Sequence, residues 1–151
     1  MKRLTAVTLF VLAFGIAGYT QERTEINSAS DARMLVGRHR LSLQWVSWDY
    51  FGTATVINGR GIYSIKGEQK NRGKGSSDFV RIDGTITSID AKEFAFTGKI
   101  TTQVSHINDG KPCVRDGEFT FKITGKRRYW RLQQMDNPCD PVTDYVDIYF
   151  R

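Results

Sequence analysis

The sequence has only two cysteines and two histidines among its 151 residues, and this shortage limits the chemistry it can carry. The histidines, His39 and His106, stand far apart, so no two-histidine metal motif is present. The chain also lacks a nucleophile elbow, a phosphate-binding glycine loop and a dinucleotide fingerprint. We therefore expect neither a metal site nor an organic cofactor.

Long apolar runs are absent except at the start of the chain. Lys2 and Arg3 are basic, residues 4–17 are apolar, and the chain turns polar at Tyr19. This pattern is typical of a secretory signal peptide, which we assign to residues 1–18. The alternative is an uncleaved anchor, but the run is shorter than the roughly 20 residues that a spanning helix needs. We expect an exported protein, either periplasmic or secreted, with no other transmembrane segment.

The charge is only mildly basic. The formal net charge of +6 falls to +4 without Lys2 and Arg3. Such a charge permits weak attraction to anionic partners, although most surface charge is simply solvated. The basic stretch of residues 66–74 lacks the interleaved aromatic residues of a nucleic-acid platform, so we expect no nucleic-acid partner.

No segment shows a helical period of ten residues or more, and a period of two dominates instead, as in strands with one buried face. About eight short alternating or β-rich segments have turn residues between them. They are centred on residues 40–45, 53–57, 63–65, 80–86, 94–104, 119–123, 129–133 and 146–150. We predict an all-β, antiparallel, up-and-down barrel over residues 37–151, with a sandwich as the alternative. Residues 19–36 are expected to form a leader with a short helical turn at residues 31–36, capped by Ser30.

The two cysteines stand at the ends of a predicted hairpin. Antiparallel pairing of Ile123 with Trp130 also pairs Phe121 with Leu132 and places all four side chains on one face. The same register, extended outward, sets Cys113 nearly opposite Cys139. In an exported protein such a pair is expected to form a disulfide.

The lengths of the connections alternate along the chain. Short turns at Asn58, Asp90 and Gly125 alternate with longer connections that include residues 47–51, 70–77, 106–116 and 136–144. In an up-and-down meander, alternate connections lie at the same end. We therefore expect the long loops to gather at one end, where binding residues tend to stand.

The glycine-led first strand at Gly37 and the antiparallel meander resemble the lipocalin-like, or calycin, barrels. The glycine–x–tryptophan motif usual in those families is absent, because Arg38 and His39 follow Gly37. The resemblance implies a ligand site at an open barrel mouth. The alternative is a separate family of secreted bacterial proteins.

Candidate ligand-binding residues lie in the long connections. Trp48, Tyr50 and Phe51 could line an apolar site, and His106 and Arg115 could select polar groups. The alternatives are that the aromatic residues form a lid over the core and that the polar residues stabilise their own loop. Four further polar residues have the wrong spacing for an EF-hand, so no calcium site is predicted; they are Asp136, Asn137, Asp140 and Asp144.

These residues favour an exported protein that binds a small, mostly apolar ligand. One alternative is an envelope structural or interaction domain without a small ligand. Another, less favoured, is a hydrolase-type enzyme that uses His106 with Asp109 or Asp116. The sequence does not indicate the oligomeric state.

We expect the signal peptide to be removed on export, so that the mature chain begins close to residue 19. N-terminal sequencing of the exported protein tests this expectation, and a chain that still starts at Met1 would contradict it.

Overall fold

The computed structural model describes residues 22–74 and 76–151, so the predicted signal peptide at residues 1–18 lies outside the described part. It contains nine strands, one short α-helix and a 3-10 turn at Asn108–Gly110. The elements in chain order are β1 (Glu25–Ile26), α1 (Ala29–Leu35), β2 (Gly37–Leu43), β3 (Gly52–Gly59), β4 (Ile62–Lys70), β5 (Phe79–Asp90), β6 (Glu93–Gln103), β7 (Cys113–Lys122), β8 (Tyr129–Leu132) and β9 (Val146–Tyr149).

Strands β2 to β9 form a closed, eight-stranded, antiparallel barrel. Each strand pairs with the next along the chain, and β9 returns to pair with β2. The short strand β1 adds in parallel to Ser88 and Ile89 of β5, beyond the end of β4. The predicted all-β, up-and-down barrel is confirmed, and the sandwich alternative is wrong.

An ion pair reinforces the sheet beside the closing seam. Arg131 on β8 donates from Nε and Nη2 to the two carboxylate oxygens of Asp147 on β9, both at 2.7 Å. Asp147 is only 1% exposed, so this bidentate pair is shielded from water on the carboxylate side. Opposite Asp147 across the seam lies Ser42 of β2.

Three aligned glycines allow the longest strands to bend. Gly84 of β5 pairs with Gly98 of β6, which in turn pairs with Gly117 of β7. A Cβ atom on Gly84 would lie 2.4 Å from the carbonyl oxygen of Thr97, and one on Gly98 would lie 2.2 Å from that of Asp83. No side chain fits at those distances, so glycine permits the close backbone approach that a tight barrel corner requires.

The helix α1 packs against the end of the barrel that carries the short turns. Ala32 and Leu35 are its buried residues. His39 of β2 anchors the helix, since its Nε2 donates to the carbonyl oxygen of Leu35 at 2.7 Å. The expected cap at Ser30 is wrong: the helix begins at Ala29, and the Oγ of Ser28 accepts from the backbone N–H of Asp31 at 3.3 Å. Among the described residues, no helix is long and apolar enough to cross a membrane.

The predicted hairpin register and disulfide are both confirmed. Phe121 pairs with Leu132, and the same register continues to Gln133, whose N–H donates to the carbonyl oxygen of Thr120 at 2.8 Å. Cys113 and Cys139 are bonded, with their Cα atoms 6.0 Å apart. The bond ties the first residue of β7 to the loop between β8 and β9.

Replacing both cysteines by alanine should lower the free energy of unfolding by about 3.5 kcal/mol, the chain-entropy value for closing a loop of this length. Urea denaturation of the oxidised protein and of the double variant measures the difference. Reduction of the unaltered protein is the matched control and should give a similar loss. A loss below about 1 kcal/mol would mean that other contacts already order this loop in the unfolded ensemble.

Candidate functional site

The long connections gather at one end of the barrel, as the parity argument predicts. They are residues 44–51, 71–78, 104–112 and 133–145, and we call this end the long-loop end. The connections at the other end are residues 60–61, 91–92 and 123–128, and we call it the short-loop end.

Large side chains fill the barrel interior. Phe94 stacks on Phe121 with ring centroids 5.2 Å apart, and Trp130 packs edge-on against Phe94 at 6.0 Å. Phe96 lies 5.9 Å from Phe121, and all four side chains are at most 1% exposed. Because these four rings are in direct contact, no space remains between them for a ligand as large as an aromatic side chain. A ligand would therefore need a cleft on the surface.

A buried glutamine holds the β2–β3 loop against the barrel. Gln69 of β4 is fully buried, and its Nε2 donates to the carbonyl oxygens of Ser47 and Tyr50, both at 2.9 Å. Its Oε1 accepts from the N–H of Leu43 at 2.7 Å. The amide nitrogen therefore holds the loop that carries Trp48, while the amide oxygen bonds to the last residue of β2.

Arg115 lies beneath the β8–β9 loop rather than on the surface. Its Nη1 donates to the carbonyl oxygen of Gln134 at 2.8 Å, and its Nη2 donates to Oδ2 of Asp144 at 3.3 Å. The same Oδ2 accepts from Nδ2 of Asn137 at 3.1 Å, whereas Oδ1 of Asp144 has no hydrogen-bond partner. Asp144 is 1% exposed and Arg115 is 9% exposed. The pair therefore orders the loop from inside.

Desolvation dominates the electrostatics of this pair. Burial raises the pKa of Asp144 above its ordinary value, and the Arg115 cation opposes that rise. Burial also lowers the pKa of Arg115, against the attraction of Asp144. Both pKa shifts favour the neutral form of the side chain. Each charged side chain therefore depends on the opposite charge of its partner to remain buried.

A surface cleft of about 470 Å³ opens between the β2–β3 and β8–β9 loops. Its walls are mostly apolar and aromatic; they are Gln44, Trp45, Trp48, Pro141, Val142, Thr143 and Tyr145. Trp48 is 60% exposed, a high value for an indole, and Tyr145 is 38% exposed. We call this site the Trp48 cleft.

Hydrogen bonds across the cleft hold its two loops in place. Nε2 of Gln44 donates to the carbonyl oxygen of Thr143 at 2.7 Å, and Oε1 of Gln44 accepts from the N–H of Tyr145 at 2.8 Å. Nε1 of Trp45 donates to the same Thr143 oxygen at 3.2 Å. These hydrogen bonds therefore fix the two loops that form the walls of the cleft relative to each other.

The five candidate ligand-binding residues do not form one site. Trp48 lines the cleft, and His106 packs edge-on against its neighbour Trp45, with ring centroids 6.0 Å apart. Tyr50 lies beside Arg72, 5.4 Å from its guanidinium carbon. Phe51 lies instead on the outer face of the barrel, and Arg115 lies under the loop as described above.

Phe51 belongs to a different contact. Its ring packs edge-on against Tyr149, with centroids 5.3 Å apart, and Arg40 lies over it at 4.8 Å. The residues that sequence reasoning missed are those on the far side of the cleft, chiefly Val142 and Tyr145. Tyr145 directly precedes β9. The alternation of that strand points Val146 inward, so it predicts that Tyr145 points outward. No feature of the neighbouring sequence indicates that Tyr145 faces Trp48.

The carboxylates proposed for an enzyme site have other partners. Asp109 pairs with Lys111 at 3.8 Å, and Asp116 pairs with Lys99 at 3.4 Å. Within residues 22–74 and 76–151, no hydrogen bond or ion pair links His106 to a carboxylate. The same part of the chain holds no group of three or more metal-ligating His, Cys, Asp or Glu side chains.

Comparisons place the chain beside one family. The model of the PM1083 family matches residues 23–150, which include both cysteines and all the strands described here. The chain is 43% identical over 155 residues to a protein of Pasteurella multocida (strain Pm70) described as uncharacterized protein PM1083, and the alignment covers 99% of each chain. No solved structure matches the chain.

Replacing Arg115 by leucine should lower the free energy of unfolding by about 3–5 kcal/mol at pH 7, because it leaves the Asp144 carboxylate buried and unpaired. The raised pKa of Asp144 means that the folded state binds this proton more tightly than the unfolded state does. Stability should therefore recover as the pH falls from 7 towards 5, since protonation removes the buried charge.

The control is the double variant Arg115→Leu/Asp144→Asn, which carries neither charge and should show a smaller loss without that recovery. Urea denaturation at both pH values distinguishes the two variants. An Arg115→Leu loss that does not change with pH would contradict this account of the pair.

Proposed function

The chain belongs to the PM1083 family, and we propose that it is a binding module that holds a small, mostly apolar molecule in the Trp48 cleft. The ligand lies on the surface of the long-loop end and not inside the barrel, because aromatic side chains already occupy the interior. A molecule with a flat apolar face fits a cleft walled by indole and phenol rings.

The observation that carries this proposal is the exposure of Trp48 in a rigid setting. An indole that is 60% exposed gains little from its present contacts, whereas a ligand packed against it would bury much of that area. Since the Gln44 and Trp45 hydrogen bonds already fix the opposite wall, ligand binding requires no large rearrangement.

Each candidate residue then has a distinct role. Trp48 and Tyr145 form the two apolar walls, and Trp45 forms the base. His106 packs edge-on against Trp45 without lining the cleft itself, and from there it would select for a polar group on the ligand. Arg115 supports the β8–β9 loop from below, and Tyr50 and Phe51 make their contacts outside the cleft.

A second candidate function is an interaction domain that uses the same exposed aromatic surface for a protein partner. The burial of large aromatic side chains inside the barrel favours it, because a protein partner would use only the exposed surface. Native mass spectrometry of the protein purified from its source separates the two: an added mass of a small molecule supports the first, and a protein partner with an otherwise bare chain supports the second.

We also propose that the protein acts outside the cytoplasm, in the periplasm or as a secreted protein. The support is the Cys113–Cys139 disulfide, which persists in oxidising compartments, together with the signal-like residues 1–18.

Replacing Trp48 by alanine should weaken the binding of phenylnaphthylamine, an uncharged flat dye, by about 1–3 kcal/mol, as expected for a buried anchor. Tryptophan fluorescence reports the binding, because two of the three tryptophans line the cleft and the third, Trp130, is 1% exposed inside the barrel.

Arg127→Ala, at the short-loop end, is the control and should leave dye binding unchanged. Loss of dye binding in Arg127→Ala with normal binding in Trp48→Ala would place the site at the wrong end.

A further inference from the structure

Some lysine and arginine side chains of this barrel form ion pairs with carboxylates, and the others do not. Of the 20 such residues from position 22 onward, eight form ion pairs with carboxylates among the described residues. Nine of the other twelve lie at the short-loop end. They are Arg23, Arg33, Arg38, Arg60, Lys92, Lys126, Arg127, Arg128 and Arg151. Arg40 lies on the outer face of β2, and Arg72 and Lys74 lie at the long-loop end.

The two ends of the barrel therefore carry opposite charge. Outside the barrel strands, the segments at the short-loop end, including residues 22–36 and 150–151, contain eight cations and three carboxylates. The ninth cation, Arg38, lies on β2, and two further carboxylates, Asp90 and Glu93, lie at the strand ends beside the turn at residues 91–92. The four loops at the long-loop end contain three cations and six carboxylates. A mildly basic chain thus presents one strongly positive end, whose potential would attract an anionic partner.

A cleft with three arginines opens beside this positive end. It has a volume of about 380 Å³, and its lining contains no Asp or Glu; the lining residues are Arg38, His39, Arg40, Thr53, Phe150 and Arg151. Nη2 of Arg151 donates to the carbonyl oxygen of Val36 at 2.6 Å, which holds that guanidinium in place. Several guanidinium groups without an Asp or Glu side chain beside them suit a phosphate, whose oxygens accept paired N–H donors.

The start of the described chain lies at the same end. The N–H of Thr24 donates to the carbonyl oxygen of Gly61 in the β3–β4 turn at 2.9 Å.

Two exposed isoleucines complete this surface. Ile57, near the end of β3, is 60% exposed, and Ile26 of β1 is 41% exposed. Apolar side chains among cations are typical of proteins that rest on a membrane surface.

We propose that the short-loop end docks on a bilayer surface of anionic phospholipids, with the cleft of Arg38, Arg40 and Arg151 holding one headgroup phosphate. The cations stand on all three short turns, on the helix α1 and on the last residue, so they cover a whole end of the barrel. A bilayer surface presents a flat array of anionic headgroups, which matches this distribution of cations. A linear polymer such as a nucleic acid would instead need a continuous groove. The Trp48 cleft at the opposite end stays open to solution, so this proposal does not depend on the ligand proposed above.

The test compares two double variants that remove the same charge from opposite ends. Arg127→Gln/Arg128→Gln changes the short-loop end, and Arg72→Gln/Lys74→Gln changes the long-loop end. The exported protein is sedimented with vesicles of equal parts phosphatidylglycerol and phosphatidylcholine at about 0.1 M salt, where charges interact over about 10 Å. Since a basic residue near an anionic surface contributes about 1 kcal/mol, the first variant should bind at least roughly tenfold more weakly than the unaltered protein.

The second variant should bind as the unaltered protein does, and vesicles of phosphatidylcholine alone should bind none of the three. Raising the salt to about 1 M should release the protein, because screening then acts within about 3 Å. Equal binding by both double variants would overturn the proposal, since it would show that the orientation of the barrel does not matter. Binding to single-stranded DNA in place of the anionic vesicles would also overturn it and would favour a nucleic-acid partner.

Discussion

The pairing of β2 with β9 is the constraint on which the rest of the structure depends. Leu41 pairs with Ile148 and Leu43 pairs with Val146, so the first and last strands of the barrel share a ladder. Closure removes the open edges that an eight-stranded sheet would otherwise expose. It also encloses one continuous aromatic and aliphatic core.

Local signals in the sequence were enough to predict the fold and the disulfide. The alternation of Phe119, Phe121 and Ile123 against Trp130 and Leu132 fixes the hairpin register, because shifting it by one residue would move every apolar side chain to the wrong face. Extended beyond the ladder, that register predicts Cys113 near Cys139, and in the structure the β8–β9 loop brings Cys139 to the first residue of β7. The position of the long loops could be predicted from the lengths of the connections alone, because alternate connections of an up-and-down meander lie at the same end of the barrel.

The candidate site was less predictable, because it depends on contacts between distant loops. The cleft exists because the Gln44 side chain bonds to Thr143 and Tyr145, about one hundred positions later, and no local pattern encodes that pairing. Arg115 shows a different limit. It has the inward parity of Cys113 and Phe119, so alternation alone assigns it to the interior. The positive charge of Arg115 favours a position on the surface instead. Only the structure shows that the Asp144 carboxylate pairs with Arg115 and makes its burial possible.

The place of β9 at the end of the chain has a consequence for how the protein is made. A chain that is synthesised from its N-terminus leaves the β9-facing edge of β2 unpaired until residues 146–149 emerge. Until then β8 forms a second open edge, and exposed edges of this kind recruit other chains. Without residues 146–149 the sheet would stay open between β8 and β2, which leaves an open sheet in place of a shortened barrel.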